Sequence, residues 1–184
     1  MKLTLDGIKD RQAWEKAGIK LPGYDVEAVS KKAKDAPGWV HFGIGNIFRV
    51  FIGGIADGLL EEGVLDRGIT CVETFDFDVI DKIYKPYDNL NLSVILHGDG
   101  TREYKVLGAL AEAVKAQSSN PAQWNRLKEI FTAKSLQLVS FTITEKRLCP
   151  AESRRQLVPV CGSRYQERPG QSHRSNGGSD SDVI

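Results

Sequence analysis

Residues 39–62 hold the feature that most restricts the fold. An apolar strand runs directly into two glycines separated by one residue, Gly43 and Gly45, and a helix follows. The predicted helix covers residues 47–62, has apolar residues at helical spacing and ends at Gly63, a favourable C-terminal cap. Residues 68–73, rich in β-branched side chains, form a second short strand that ends in an acid. The segment therefore predicts a βαβ unit with a glycine loop at its first turn.

Such a loop has two interpretations. In a dinucleotide fold the first glycine makes the tight turn, the second lets the backbone approach the pyrophosphate, and the helix N-terminus attracts phosphate. Gly43 and Gly45 fit the two glycine roles, but Phe48 occupies the place of the usual third glycine. By pattern alone, cofactor binding and a merely structural loop are about equally favoured.

Two further residues favour a cofactor site. Glu73 ends the second strand, where a carboxylate can accept bonds from both adenosine ribose hydroxyls and would repel the 2′-phosphate of NADP. The alternative is a solvated strand end, since Asp76 and Asp78 are close by. Arg49, in the first helical turn, either faces phosphate or covers the outer surface.

The remaining helices and strands are predicted from the spacing of apolar residues and from the capping and turn residues at their ends. Helical segments are expected at residues 25–36, 78–84, 109–116 and 121–133, the last with Asn120 as N-cap. Strands at residues 92–97 and 103–107 flank Gly98-Asp99-Gly100 and predict a hairpin. A final strand covers residues 136–144, with Ser140, Thr142 and Thr144 on one face.

Composition limits the partners. The net charge is +1 and 41% of the residues are hydrophobic, which predicts one cored domain and gives no support for binding to nucleic acid or to an anionic membrane. No apolar run approaches the ~20 residues that span a bilayer, and no signal peptide is evident, so a cytoplasmic protein is expected. Three scattered cysteines indicate neither a disulfide framework nor a metal site.

The composition changes after Lys146. Residues 1–146 contain 14 Lys and 5 Arg, whereas residues 147–184 contain 6 Arg and no Lys. The second segment lacks helix or strand periodicity and is predicted to be a disordered tail.

Two motifs of the sequence are His41-Phe42-Gly43-Ile44-Gly45-Asn46-Ile47-Phe48-Arg49 and Ser140-Phe141-Thr142-Ile143-Thr144-Glu145-Lys146. Both resemble the mannitol dehydrogenase family, the polyol-specific long-chain dehydrogenases, which include the fructuronate and tagaturonate reductases. Glu73 and the Asp-Gly hairpin lie between them in the family's order, so the resemblance covers about residues 39–146. It implies an incomplete Rossmann-like α/β domain with a β-hairpin at residues 39–146, behind a helical lead-in at residues 1–38.

The resemblance also implies the function and the site. NAD is the expected cofactor, and the cofactor-binding residues are Gly43, Gly45, Asn46, Phe48, Arg49, Glu73 and Thr144. Hydride would pass between NAD(H) and a polyol, keto sugar or sugar acid without a metal. The family's catalytic lysine lies in a C-terminal helical domain beyond this point, so no catalytic residue is expected here.

The sequence departs from the family at Arg147, where members continue with Gly-Tyr. One inserted nucleotide would convert codons for Gly-Tyr-Ala into Arg-Leu-Cys, as found at Arg147-Leu148-Cys149. An out-of-frame tail at residues 147–184 is thus the leading explanation. Two alternatives to the cofactor portion of an oxidoreductase remain: a non-catalytic truncated product with an uncovered apolar face, and a stand-alone nucleotide-binding module with a regulatory tail.

Overall fold

The main sheet of the protein is parallel. The computed structural model describes residues 1–142, and the predictions for Thr144 and for residues 147–184 lie outside this range. In spatial order its four strands are Leu110–Lys115 (β6), Ile69–Glu73 (β3), Trp39–Phe42 (β2) and Leu138–Phe141 (β7). All three neighbouring pairs run parallel, so the α/β prediction is confirmed.

A smaller sheet contains the hairpin. Asn91–Leu96 (β4) and Arg102–Leu107 (β5) pair antiparallel, and Gly100 in the connecting turn has a φ of +85°. The predicted Asp-Gly hairpin is confirmed. A two-residue strand, Ile19–Lys20 (β1), pairs parallel with β5 and was not predicted from the sequence.

Four α-helices accompany the sheets in the described residues. They are Arg11–Lys16 (α1), Val26–Asp35 (α2), Gly53–Glu61 (α3) and Pro121–Thr132 (α4). Asp25 and Asn120 cap α2 and α4, each accepting a bond from the backbone N–H three residues later, which satisfies a donor that the first helical turn leaves unpaired. A π-helical turn, Phe48–Ile52, leads into α3, and a second, Ile80–Tyr84, precedes β4.

The helix prediction for residues 109–116 is wrong. Alanine, leucine, glutamate and lysine in this segment favour a helix locally, yet residues 110–115 form β6 and pair with β3. The Ser30 hydroxyl of α2 donates to the Ala111 carbonyl, and Arg126 of α4 makes a two-point contact with Glu112. Pairing and burial against these helices outweigh the small differences in propensity.

The strands of the main sheet bury side chains on both faces. On one face Ile69 and Cys71 of β3 pack with Phe48, Ala56 and Leu60, on and before α3. On the opposite face lie Val40, Val72 and Val114, packed against Ile130 of α4. Helices on both faces of a parallel sheet define a doubly wound arrangement. No helix within residues 1–142 is long and apolar enough to cross a membrane.

Candidate functional site

Gly43 makes the tight turn at the end of β2. Its φ is +88°, a region that favours glycine, and an added Cβ would lie 2.2 Å from the Thr142 carbonyl oxygen. The Gly43 N–H donates to the Val72 carbonyl of β3 at 3.1 Å. The first glycine is thus required by the protein itself, because both neighbouring strands approach it closely.

Gly45 has a different environment. It is exposed, its φ lies outside the left-handed region, and no described atom comes within 4 Å of an added Cβ. Its carbonyl accepts the Arg49 N–H at 3.1 Å, which begins the helical segment. Nothing in the described part of the protein therefore demands glycine here, whereas close approach of a ligand would.

Two side-chain hydroxyls fix the backbone between these glycines. Thr142 Oγ1 donates to the Gly43 carbonyl at 2.5 Å, and the buried Tyr84 hydroxyl donates to the Ile44 carbonyl at 2.8 Å. In a trans peptide the N–H points opposite to the preceding C=O. The N–H groups of Ile44 and Gly45 are consequently turned away from these two hydroxyls, and the loop is held in one orientation.

Phe48 occupies the position of the usual third glycine, and its side chain packs the helical segment against β2. Its fully buried ring stacks on the His41 imidazole, with centroids 4.0 Å apart and planes 9° apart. The predicted cofactor residue Phe48 thus lies beneath the loop, and its side chain supports β2. Burial lowers the pKa of His41 to about 4, so its imidazole is neutral at neutral pH.

Arg49 and Asn46 lie on the first helical turn. The Arg49 guanidinium donates to the Asn46 side-chain oxygen and lies 6.0 Å from the centre of the Tyr84 ring. Arg49 is half-buried, whereas Asn46 is exposed. A cation and an amide therefore stand at the helical start, where the helix dipole already favours an anion.

Glu73 ends β3 beside the loop. It is 2% exposed, and its Oε1 accepts backbone N–H bonds from Thr74, Phe75 and Asp76 at 3.0, 3.0 and 3.3 Å. These bonds orient the carboxylate at the sheet edge that also carries the glycine loop, because β2 and β3 are parallel neighbours.

The glycine loop lies where the strand order reverses. From β2 the sheet continues on one side to β3 and β6, and on the other to β7, which is reached only later in the chain. Ligands of open α/β sheets bind at such a switch point, outside the carboxyl ends of the strands. Gly43, Gly45, Asn46, Arg49 and Glu73 all follow or end strands at this edge.

The sequence missed three residues that build the site. Thr142 and Tyr84 fix loop carbonyls, and His41 contacts Thr142 through Nε2 at 3.0 Å. Alternation on β7 placed Ser140 and Thr142 on one face, and the same period applies to Trp39 and His41. The sequence did not show that β2 pairs with β7, and this pairing is what brings the two sets of side chains together. Within residues 1–142 no group of three His, Cys, Asp or Glu side chains could hold a metal ion.

The fold and loop define a Rossmann-type nucleotide-binding class, and comparisons with known proteins agree. The chain is 51% identical over 146 residues to D-mannonate oxidoreductase of Thermotoga maritima, covering 79% of this chain and 27% of the relative. It resembles Pseudomonas fluorescens mannitol 2-dehydrogenase, solved as a ternary complex with NAD and D-mannitol (TM-score 0.62, 25% identity, 83% of this chain and 29% of that one). It also resembles substrate-free D-sorbitol dehydrogenase (TM-score 0.58, 28% identity, 71% of this chain and 25% of that one). No protein-family model matches.

The chain belongs to the mannitol dehydrogenase family, in which it corresponds to the N-terminal, Rossmann-type portion. The resemblance inferred from the two motifs is thereby confirmed. The chain spans about a quarter of the length of the relatives that it matches.

Proposed function

We propose that residues 43–49 bind the pyrophosphate of NAD(H), and that the chain is the nucleotide-binding portion of an NAD-dependent oxidoreductase. The observation that carries this proposal is the contrast between the two glycines. Gly43 is required by strand packing, whereas Gly45 faces open space at the switch point. NAD supplies hydride transfer when bound, and the residues described here bind and orient it.

The proposed substrate class follows from the relatives. Their names refer to a sugar acid, D-mannonate, and to two polyols, D-mannitol and D-sorbitol. Of these three relatives, the enzyme named for the sugar acid has the higher identity to this chain, which favours that class for the whole protein. Hydride transfer to a carbonyl needs a positioned acid or base. His41 and Tyr84, the titratable groups beneath the loop, hydrogen-bond within it, and burial raises the Tyr84 pKa and lowers that of His41, so we assign them no proton transfer.

A fluorescence titration with NADH tests the binding site. We expect saturable binding to the wild-type chain and loss of binding on Gly45→Val, because the valine side chain would occupy the space proposed for the pyrophosphate. Gly54→Val is the matched control: Gly54 also has no described atom within 4 Å of an added Cβ, but lies nine residues further along, about 13 Å at helical rise.

Both variants should keep the circular dichroism spectrum of the wild type. Absence of saturable NADH binding to the folded wild type, or equal affinity of the wild type and Gly45→Val, would reject the proposed site.

A further inference from the structure

A continuous series of hydrogen bonds joins β2 and β7 beneath the glycine loop. The Trp39 Nε1 donates to Ser140 Oγ at 2.7 Å, and Ser140 Oγ lies 2.7 Å from His41 Nδ1. On the other side of the ring, His41 Nε2 lies 3.0 Å from Thr142 Oγ1, which contacts the Gly43 carbonyl at 2.5 Å. The series begins at a group that can only donate and ends at one that can only accept.

The Gly43 carbonyl, which can only accept, sets the direction of the hydrogen bonds along the series. The Gly43 carbonyl must accept, so the single hydroxyl proton of Thr142 is committed to it. Thr142 Oγ1 therefore accepts from His41, which places a proton on Nε2. Ser140 accepts from the Trp39 indole and uses its own proton toward Nδ1. With Nδ1 protonated instead, Ser140 Oγ could still accept from both Trp39 and His41 through its two lone pairs, but no proton would remain between His41 Nε2 and Thr142 Oγ1.

We infer that His41 is a positioning residue for the cofactor loop: its neutral, Nε2-protonated tautomer orients the Thr142 hydroxyl, which fixes the Gly43–Ile44 peptide. A glycine with positive φ restrains a peptide less than other residues do, so an external restraint matters here. The stacked Phe48 ring sets the imidazole plane. The consequence for NAD(H) affinity rests on the proposed function, whereas the tautomer and the peptide orientation do not.

Uncharged groups hold the His41 ring. Among residues 1–142, the side chains that hydrogen-bond to the ring or stack on it are Ser140, Thr142 and Phe48, and the Gly43 backbone also bonds to it. His41 itself is fully buried. A neutral imidazole with both ring nitrogens hydrogen-bonded suits this environment, because an unpaired polar atom there would be costly.

Nitrogen NMR of the ¹⁵N-histidine-labelled chain tests the tautomer directly. At neutral pH we expect His41 to show an unprotonated Nδ1 and a protonated Nε2. The opposite tautomer, or a doubly protonated ring, would overturn the inference whether or not the chain binds NADH.

Variants at Thr142 test the restraint on the peptide. Thr142→Val removes the hydroxyl at nearly constant volume, and Thr142→Ser keeps it. We expect Thr142→Val to shift the Ile44 and Gly45 amide resonances and to lower NADH affinity about tenfold, the size of one lost hydrogen bond. Thr142→Ser should restore both. Unchanged Ile44 and Gly45 resonances in a folded Thr142→Val chain would overturn the inference.

A double-mutant cycle connects His41 to this effect. If His41 acts through Thr142, then His41→Leu should lower affinity in the wild-type background and add little in the Thr142→Val background. Additive losses would mean that His41 acts independently and would overturn its positioning role. If the wild type keeps the expected tautomer and amide shifts but does not bind NADH, the proposed function fails and the positioning of the loop stands.

Discussion

Glu73 is a buried carboxylate at the sheet edge where we place the nucleotide. For Glu73→Gln we expect weaker NAD binding, by about 1–3 kcal/mol for loss of a charged acceptor, and a narrower preference for NAD over NADP. Glutamine retains an oxygen that can accept the three loop N–H groups, so the segment after β3 should stay in place. Parallel titrations with NADH and NADPH measure the ratio.

Asp76→Asn is the control for this ribose assignment, because Asp76 is the exposed acid nearest along the chain. An unchanged NADH to NADPH ratio in Glu73→Gln, together with a changed ratio in Asp76→Asn, would transfer the role to Asp76.

His41 predicts a particular dependence of stability on pH. Burial lowers its pKa from 6.5 to about 4, so between these values the unfolded chain binds more protons than the folded one. Stability from this residue is complete above pH 6.5 and is lost as the pH falls to about 4, by on the order of 3 kcal/mol. The lysine partners of Asp81 lower the pKa of its carboxyl from 3.8 to about 2. The stability that this carboxyl contributes is therefore lost only below about pH 4, outside the range in which His41 titrates.

Urea denaturation at pH 7, 5.5 and 4.5 measures this effect in the wild type and in His41→Gln. In the variant, the free energy of unfolding should change much less with pH between pH 6.5 and 4.5 than it does in the wild type. An equal slope in both proteins would assign the acid sensitivity to other groups.

The helix after the glycine loop is tied to the hairpin and to the lead-in by one buried acid. Asp57 of α3 is fully buried, and its Oδ1 accepts from the Tyr24 hydroxyl at 2.5 Å and from the Gly108 N–H at 3.0 Å. The Lys105 ammonium of β5 lies 2.7 Å from Oδ2. Asp57 thus joins α3 to two segments that are distant in sequence.

Asp57→Ala should lower the free energy of unfolding by about 3–5 kcal/mol, because it leaves a cation and two donors without their acceptor. The matched control is Asp66→Ala, whose ion pairs with Lys32 and Arg67 involve a half-exposed carboxylate and should contribute less than about 1 kcal/mol. Urea denaturation compares them. Similar losses in the free energy of unfolding of the two variants would show that the buried Asp57 cluster stabilises the fold no more than an exposed ion pair does.

Local patterns predicted most elements and missed those that depend on pairing. α2, α4 and the hairpin have their own caps or turn residues, so the neighbouring sequence was sufficient. β6 has helix-favouring residues and is a strand only because β3, α2 and α4 surround it. The glycine loop was visible as a motif, but its support was not, since His41 and Thr142 meet only through the register of β2 and β7.

An exposed apolar stripe lies on the helical segment that follows the glycine loop. Ile47, Phe51 and Ile55 follow one another at four-residue spacing and are 73, 66 and 49% exposed. The sequence analysis expected an uncovered apolar face for a truncated product, and that alternative stays a prediction.

The origin of residues 147–184 is a question for the coding DNA. The relative aligns over 146 residues, the same number that precede the compositional change at Arg147. We expect the frame adjacent to codons 147–150 to continue with Gly-Tyr after Lys146 and later to encode a lysine-bearing helical domain. Resequencing the locus decides this, and a closed adjacent frame would leave the tail as a genuine feature of the protein.

The central claim, that the nucleotide pyrophosphate lies on the glycine loop, is tested most directly by an amide-resolved NMR titration of the ¹⁵N-labelled chain with NADH. We expect the largest and saturable shifts at Ile44, Gly45, Asn46 and Arg49, with smaller ones after β3 at residues 73–76. The amides of α1 and of the hairpin should not move. Saturable shifts confined to other parts of the chain, or none at the loop, would contradict the account.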